Sequence, residues 1–284
     1  MAEGDHWPLP EPVGAPGTTE IVAPSPTAIE FSGFAPPPRK EFPAWTVWDV
    51  VVIPCATVLA IFVCSAIGLA IAHSLPAYHG LSIGALAQEP LIVVGSQIAS
   101  YPIVIGFMAL IIRRRSGEPF LTAVRWNWPA RKAIWFPPCG IVLAFTVEGL
   151  AHFLPIPKSL PMDKFFNDAA SAYLMAFFGV LVAPVLEELF FRGMLYPTLR
   201  RGLGVAVAVL LTAAAFAAIH GTQLGYAWAP ILSIFVVGLA LTIIRERTDS
   251  VAASVLTHSG YNFTLFALLW IGSDHFRHLE KLGS

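Results

Sequence analysis

The chain of 284 residues is 56% apolar and only 12% charged, with a formal net charge of −1. A soluble domain of ordinary composition carries about a quarter charged residues, which argues against a one-domain cytosolic enzyme, and the lack of a basic excess argues against a nucleic-acid surface. A mean hydropathy of +0.69 points to a membrane protein instead.

In chain order, residues 1–45 come first. Ten of the 24 prolines fall between Pro8 and Pro43, and large apolar residues are few before Trp45. Such a stretch buries no core and reads as a disordered Pro-rich cytoplasmic tail. It has no charged segment followed by an apolar run, so it is not read as a signal peptide.

Crossing about 30 Å of hydrocarbon takes about 20 mostly apolar helical residues, because an unpaired backbone group is too costly in lipid. That criterion predicts seven spans, at about 48–72, 91–112, 134–153, 171–191, 204–220, 228–244 and 251–271. Trp45, Trp48, Trp126, Trp128, Trp135, Trp228 and Trp270 lie near their ends, where interfacial aromatics sit. A short turn such as 221–227 leaves room for an eighth helix, on the surface or re-entrant. The expected fold is an all-α polytopic membrane bundle, with N-terminal helices over 46–170, motif-bearing helices over 171–271 and a C-terminal tail over 272–284. Cys55, Cys64 and Cys139 lie in apolar runs without metal-like spacing and read as packing residues. The ending Glu280–Ser284 lacks a Cys-a-a-X box, so the chain is not expected to be prenylated itself.

Orientation follows the Lys/Arg distribution. With the N-terminus cytoplasmic, 13 of the 17 basic residues fall in inner segments; only Lys158, Lys164, Arg277 and Lys281 fall outside. The setting expected is a prokaryotic plasma membrane.

An ionisable residue within a span is costly and marks function by default. Three clusters qualify: Glu187, Glu188 and Arg192 on the fourth span, Phe216 and His220 on the fifth, and His258 and Asn262 on the seventh. Depth allows them to meet. Glu187 lies about 20 Å from the Arg200-Arg201 end of its helix, His220 about 24 Å from Gly204, and His258 and Asn262 about 12 and 18 Å from Ser250. Glu188 and Arg192 are i,i+4 and pair on one face. Glu187 points about 100° away, free to face a cavity. His258 and Asn262 are also i,i+4, Phe216 sits one turn from His220 as a pocket wall, and Pro184 kinks the helix just before the glutamates.

A carboxylate in a poorly solvated pocket is a stronger base than one in water, and suits the deprotonation of a water molecule. His220 would hold that water or pass its proton on. His258 and Asn262 are donors suited to the oxyanion formed when water attacks a peptide carbonyl. The set specifies hydrolysis without a serine or cysteine nucleophile. A transport or proton pathway, and a non-catalytic immunity or scaffold protein using the same groups as polar glue, stay open on these residues. The lack of a visible inverted repeat counts against a transporter.

At these residues the sequence resembles the CAAX protease and bacteriocin-processing (Abi) family, whose eukaryotic members are the type II CAAX prenyl endopeptidases. Its three motifs occur in order: Glu187-Glu188-x-x-x-Arg192, Phe216-x-x-x-His220 and His258-x-x-x-Asn262. The resemblance covers about 171–270 and implies an integral-membrane endopeptidase acting on membrane-anchored or membrane-associated proteins. It implies that Glu187 and His220 activate water, that His258 and Asn262 form the oxyanion hole, and that Glu188 and Arg192 support them. No cofactor is required on this reading. A zinc-dependent version stays open, since two His and a Glu suit Zn²⁺, although Asn is a poor zinc ligand.

Overall fold

The computed structural model describes residues 42–166 and 168–278. Most of the 1–45 tail, and the end of the C-terminal tail, lie outside the described residues. Within them the chain is all helix and turn, without strands. The principal helices are α1 (Val47–Ser74), α2 (Pro90–Ser116), α3 (Phe136–Ala151), α4 (Ala169–Leu203), α5 (Val205–Ile219), α6 (Trp228–Thr248) and α7 (Val251–Gly272).

Five of these segments are long and apolar enough to cross a membrane: α1, α2, α3 with the turn before it, α4 and α6. The seven predicted spans therefore reduce to five on length and apolarity. The two that fall short do so for different reasons. Helix α5 has 15 residues, only about 22 Å of rise. Helix α7 has 22 residues, about 33 Å, but His258, Asn262 and their Ser and Thr neighbours dilute its apolar character. Residues 221–227 form hydrogen-bonded turns, with the Tyr226 N–H on the Gly221 carbonyl at 2.8 Å, rather than an eighth helix.

The chain is an integral membrane protein, and α1 shows why in its side chains. Val51, Val58, Leu59, Phe62, Ile67 and Ile71 are all exposed. Water would penalise so large an apolar face, whereas lipid accepts it. The helix starts at a capping box, with Thr46 accepting from the Asp49 N–H while the Asp49 carboxylate accepts from the Thr46 N–H. Its end is fastened to α4: the buried Trp45 indole donates to the Met194 carbonyl and the Thr198 hydroxyl, and Arg201 donates to the Pro43 carbonyl at 2.6 Å.

Two contacts set the depth of α7. At its start Ser250 caps the helix, accepting from the Ala253 N–H, while the Val251 N–H donates to the Arg125 carbonyl and the Ser250 hydroxyl donates to that of Asn127. Further along, α3 crosses α7 through Gly140 and Gly260. A Cβ on Gly140 would come within 2.2 Å of the Thr257 carbonyl oxygen, and one on Gly260 within 2.5 Å of that of Pro137. Only backbone without side chains fits this crossing, which holds the helix bearing His258 and Asn262.

Candidate active site

Helix α4 carries both glutamates and is not a regular α-helix. It widens into π-helical turns at Phe178–Val182 and Phe191–Leu195, one on each side of Ala183–Phe190. Such bulges occur frequently at functional sites. Each precedes a proline. In the first, the Ala183 N–H bonds back five residues to the Phe178 carbonyl; the next bond in that series would run from residue 184 to Gly179, and Pro184 has no N–H to make it. The Gly179 carbonyl is taken instead by the Asn262 side-chain amide from α7, at 2.6 Å. In the second, the Tyr196 N–H reaches the Phe191 carbonyl, Pro197 breaks the series, and the Arg192 carbonyl is taken by Arg245 Nε from α6, at 3.2 Å. Both orphaned carbonyls are thereby satisfied, as buried backbone groups require. The expected kink at Pro184 is realised as a π-bulge that recruits Asn262.

The two adjacent glutamates have different surroundings. The Glu188 side chain is 0% exposed, and its Oε1 accepts from Arg192 Nη1 at 2.8 Å and from His258 Nδ1 at 2.9 Å. Arg192, also fully buried, donates further to the Gly238 carbonyl at 2.9 Å and the Thr242 hydroxyl at 3.2 Å, both on α6. Its guanidinium lies 4.6 Å from the Phe216 ring centroid. A buried ion pair holds only when its remaining hydrogen-bonding positions are filled, and this one is nearly saturated. Of this pair's side-chain atoms, Glu188 Oε2 is buried without a hydrogen-bond partner.

Glu187, by contrast, is 19% exposed, and its Oε2 lies 3.8 Å from His258 Nε2. That is an ionic approach but too long for a direct hydrogen bond. His258 thus stands between the two carboxylates, with Nδ1 on Glu188 and Nε2 facing Glu187. A carboxylate oxygen can only accept, so Nδ1 carries a hydrogen.

His220 ends α5. Its Nδ1 lies 2.8 Å from the Phe216 carbonyl oxygen; a carbonyl also only accepts, so Nδ1 is again the protonated nitrogen and Nε2 of the neutral ring is a free acceptor. Phe216, 1% exposed, packs with its ring centroid 5.0 Å from that of His220, tilted, and 5.7 Å from that of His258, edge to face. The wall expected at Phe216 therefore separates and orients the two imidazoles. The structure gathers Glu187, Glu188, Arg192, Phe216, His220 and His258 into one contact set, with Asn262 one turn along α7. It ties His258 more closely to the two glutamates than to Asn262. Sequence reading missed three contributors, Gly179, Gly238 and Thr242; from α2, Tyr101 packs on Phe178 at 5.8 Å. A cavity of about 210 Å³ lined by Phe42, Pro197, Arg200 and Arg201 belongs to the far end of α4 and holds none of these site residues.

Among the described residues no group of three His, Cys, Asp or Glu side chains has the geometry to hold a metal ion. Glu188 already has Arg192 as counter-ion, and His258 Nδ1 is bound to Glu188.

Neither curated proteins nor solved structures yielded a match to this chain. A family model does, and it covers α4, α5, α6 and most of α7, including every motif residue named above. Residues 169–264 match the family model described as type II CAAX prenyl endopeptidase Rce1-like, and in that part the chain is similar to this family.

Proposed function

We propose that the chain is an intramembrane endopeptidase that hydrolyses peptide bonds of membrane-associated proteins with a water activated at Glu187, without a metal. The observation that carries this reading is the contrast between neighbouring carboxylates. Glu188 is sealed, its Oε1 held by Arg192 and His258, which is how structural polar glue looks; Glu187 is partly open and makes no salt bridge with Arg192. A packing role accounts for the first and leaves the second unexplained.

In the mechanism Glu187 takes a proton from water, and the resulting hydroxide attacks the peptide carbonyl carbon. The oxyanion is held by Asn262, whose amide has two hydrogens and spends one on Gly179, and by His258. Since Nδ1–H is committed to Glu188, His258 donates from Nε2 as an imidazolium. Two carboxylates and two cations, Arg192 and His258, then sum to zero charge in a poorly solvated site. Collapse of the tetrahedral intermediate breaks the C–N bond, and the proton returns to the leaving amine from Glu187 or through His220 Nε2. Preorganised donors of this kind contribute about 10²–10³ in rate each.

The family description makes prenylated CAAX-type peptides the first substrate class to test, with other membrane-anchored peptides as the alternative. The distribution of basic residues supports a cytoplasmic N-terminus. The test compares protein termini in membranes from cells making the wild type and Glu187→Gln at equal abundance. New termini with the wild type alone are expected; identical termini in the two membranes would overturn the peptidase reading and favour a scaffold or immunity protein. Full cleavage after metal depletion is expected as well, and proportionate loss and recovery with zinc would contradict the metal-free mechanism.

A further inference from the structure

We propose that the protein binds the headgroup of an anionic phospholipid in the cavity at the far end of α4, against Arg200 and Arg201. Lipid occupancy there stands whether or not the chain cuts peptide bonds.

The cavity is built where helix ends meet. Helix α4 stops at Leu203, and its last turn carries Arg200 and Arg201. The segment leading into α1 lies across that turn: Arg201 donates from Nη1 to the Pro43 carbonyl at 2.6 Å and from Nη2 to that of Trp45 at 3.5 Å. These carbonyls hold the guanidinium in place without neutralising it, and Arg201 makes no salt bridge among the described residues. Beside it Arg200, about half exposed, pairs with Glu246 at 3.0 Å. Phe42, exposed, and Pro197, buried, complete the lining of a cavity of about 210 Å³. A third guanidinium, that of Arg125, stands 4.8 Å from the Phe42 ring centroid. Its salt bridge to Asp249 is long, 3.8 Å, and Asp249 is already bonded to Arg245 at 2.8 Å.

Charge, size and place select the occupant. Uncompensated guanidinium calls for an anion, and its forked donors suit phosphate; Arg201 spends two of its five N–H groups on the carbonyls and keeps three. A pocket that encloses a whole small molecule measures about 300–1,000 Å³, so this smaller one takes a headgroup and not a peptide. Its level is that of the membrane surface. Helix α4 is long and apolar enough to span the membrane and ends here, while Val47 and Trp48, at the start of α1, are exposed, as interfacial side chains are. A cavity at that level is in constant contact with lipid headgroups, and basic pockets between membrane helices take anionic ones.

The test unfolds the full-length protein thermally in neutral detergent, with phosphatidylglycerol, with phosphatidylcholine at the same mole fraction, or with inorganic phosphate. Phosphatidylglycerol alone is expected to raise the melting temperature, by about 5 °C at about 100-fold excess over its dissociation constant, and to be retained on the protein in native mass spectra. The double variant Arg200→Gln, Arg201→Gln should lose both the shift and the retained lipid. Because it also gives up the contacts to Pro43 and Trp45, Phe42→Glu is measured beside it and decides alone where the double variant does not fold. Phe42→Glu leaves both arginines and puts a carboxylate on the exposed wall; it should lose shift and lipid as well. Equal shifts from the two lipids, an equal shift from inorganic phosphate, or a phosphatidylglycerol preference that persists in either variant would overturn the assignment.

Discussion

At Phe178–Val182 and again at Phe191–Leu195, helix α4 takes in an extra residue, meets a proline two residues after the bulge ends, and leaves a carbonyl for a side chain on another helix to satisfy. At the first bulge the donor is the Asn262 amide, which is half-buried and has a second N–H to spare. At the second it is Arg245, 3% exposed, whose Nη1 is tied to Asp249 at 2.8 Å. One backbone device thus serves two purposes. Near Glu187 it holds a small neutral donor that keeps a second hydrogen, the one the proposed mechanism gives to the oxyanion, and beyond Arg192 it clamps α4 to α6 with a charged side chain that has little left to offer. What separates the site from the clamp is the donor's remaining capacity, not the shape of the helix.

Replacing the two donors is expected to separate these roles most strongly. Asn262→Ala should lower the cleavage rate about 10²–10³-fold while the protein stays folded. Arg245→Ala should leave cleavage largely intact and cost about 1–3 kcal/mol of stability for the unpaired Arg192 carbonyl. Cleavage rates and thermal unfolding of both variants check this; equal activity losses would erase the distinction.

A smaller effect is expected from the prolines. Pro184→Ala restores an N–H that competes with Asn262 for the Gly179 carbonyl, and should lower cleavage several-fold by loosening that amide. Pro197→Ala makes the same change beside Arg245 and should leave cleavage within about twofold, since a surplus donor near a clamp costs little. Side-by-side rates decide it, and a larger activity loss in Pro197→Ala would invert the comparison.

Much of this was legible in the residues, and the parts that were not have identifiable causes. The Glu188–Arg192 pair followed from i,i+4 spacing, as did the turn of Glu187 away from it, because both glutamates lie in the regular stretch Ala183–Phe190 and Arg192 is only the second residue of the π-bulge that follows. Pro184 announced an irregularity but not its form: whether a proline kinks a helix or sits behind a π-bulge depends on whether another helix can supply a donor, and Asn262 lies 78 positions further along the chain. The shared face of His258 and Asn262 was readable, whereas the imidazole's place between both carboxylates depends on how α7 meets α4. The contact of Tyr101 with Phe178 carried no local signal, since it comes from the packing of α2 on α4, which periodicity within either helix does not encode. Hydropathy underrated α7 for a functional reason, since the groups proposed to act on substrate are the ones that make the helix polar.

The central claim is that neighbouring Glu187 and Glu188 have divided labour, one reacting and one holding. It is tested most directly by measuring cleavage and thermal unfolding together for purified Glu187→Gln and Glu188→Gln. The account predicts that Glu187→Gln melts like the wild type and cleaves nothing, while Glu188→Gln, which leaves the Arg192 charge buried without its counter-ion, loses about 3–5 kcal/mol of stability. Wild-type cleavage by Glu187→Gln would contradict it.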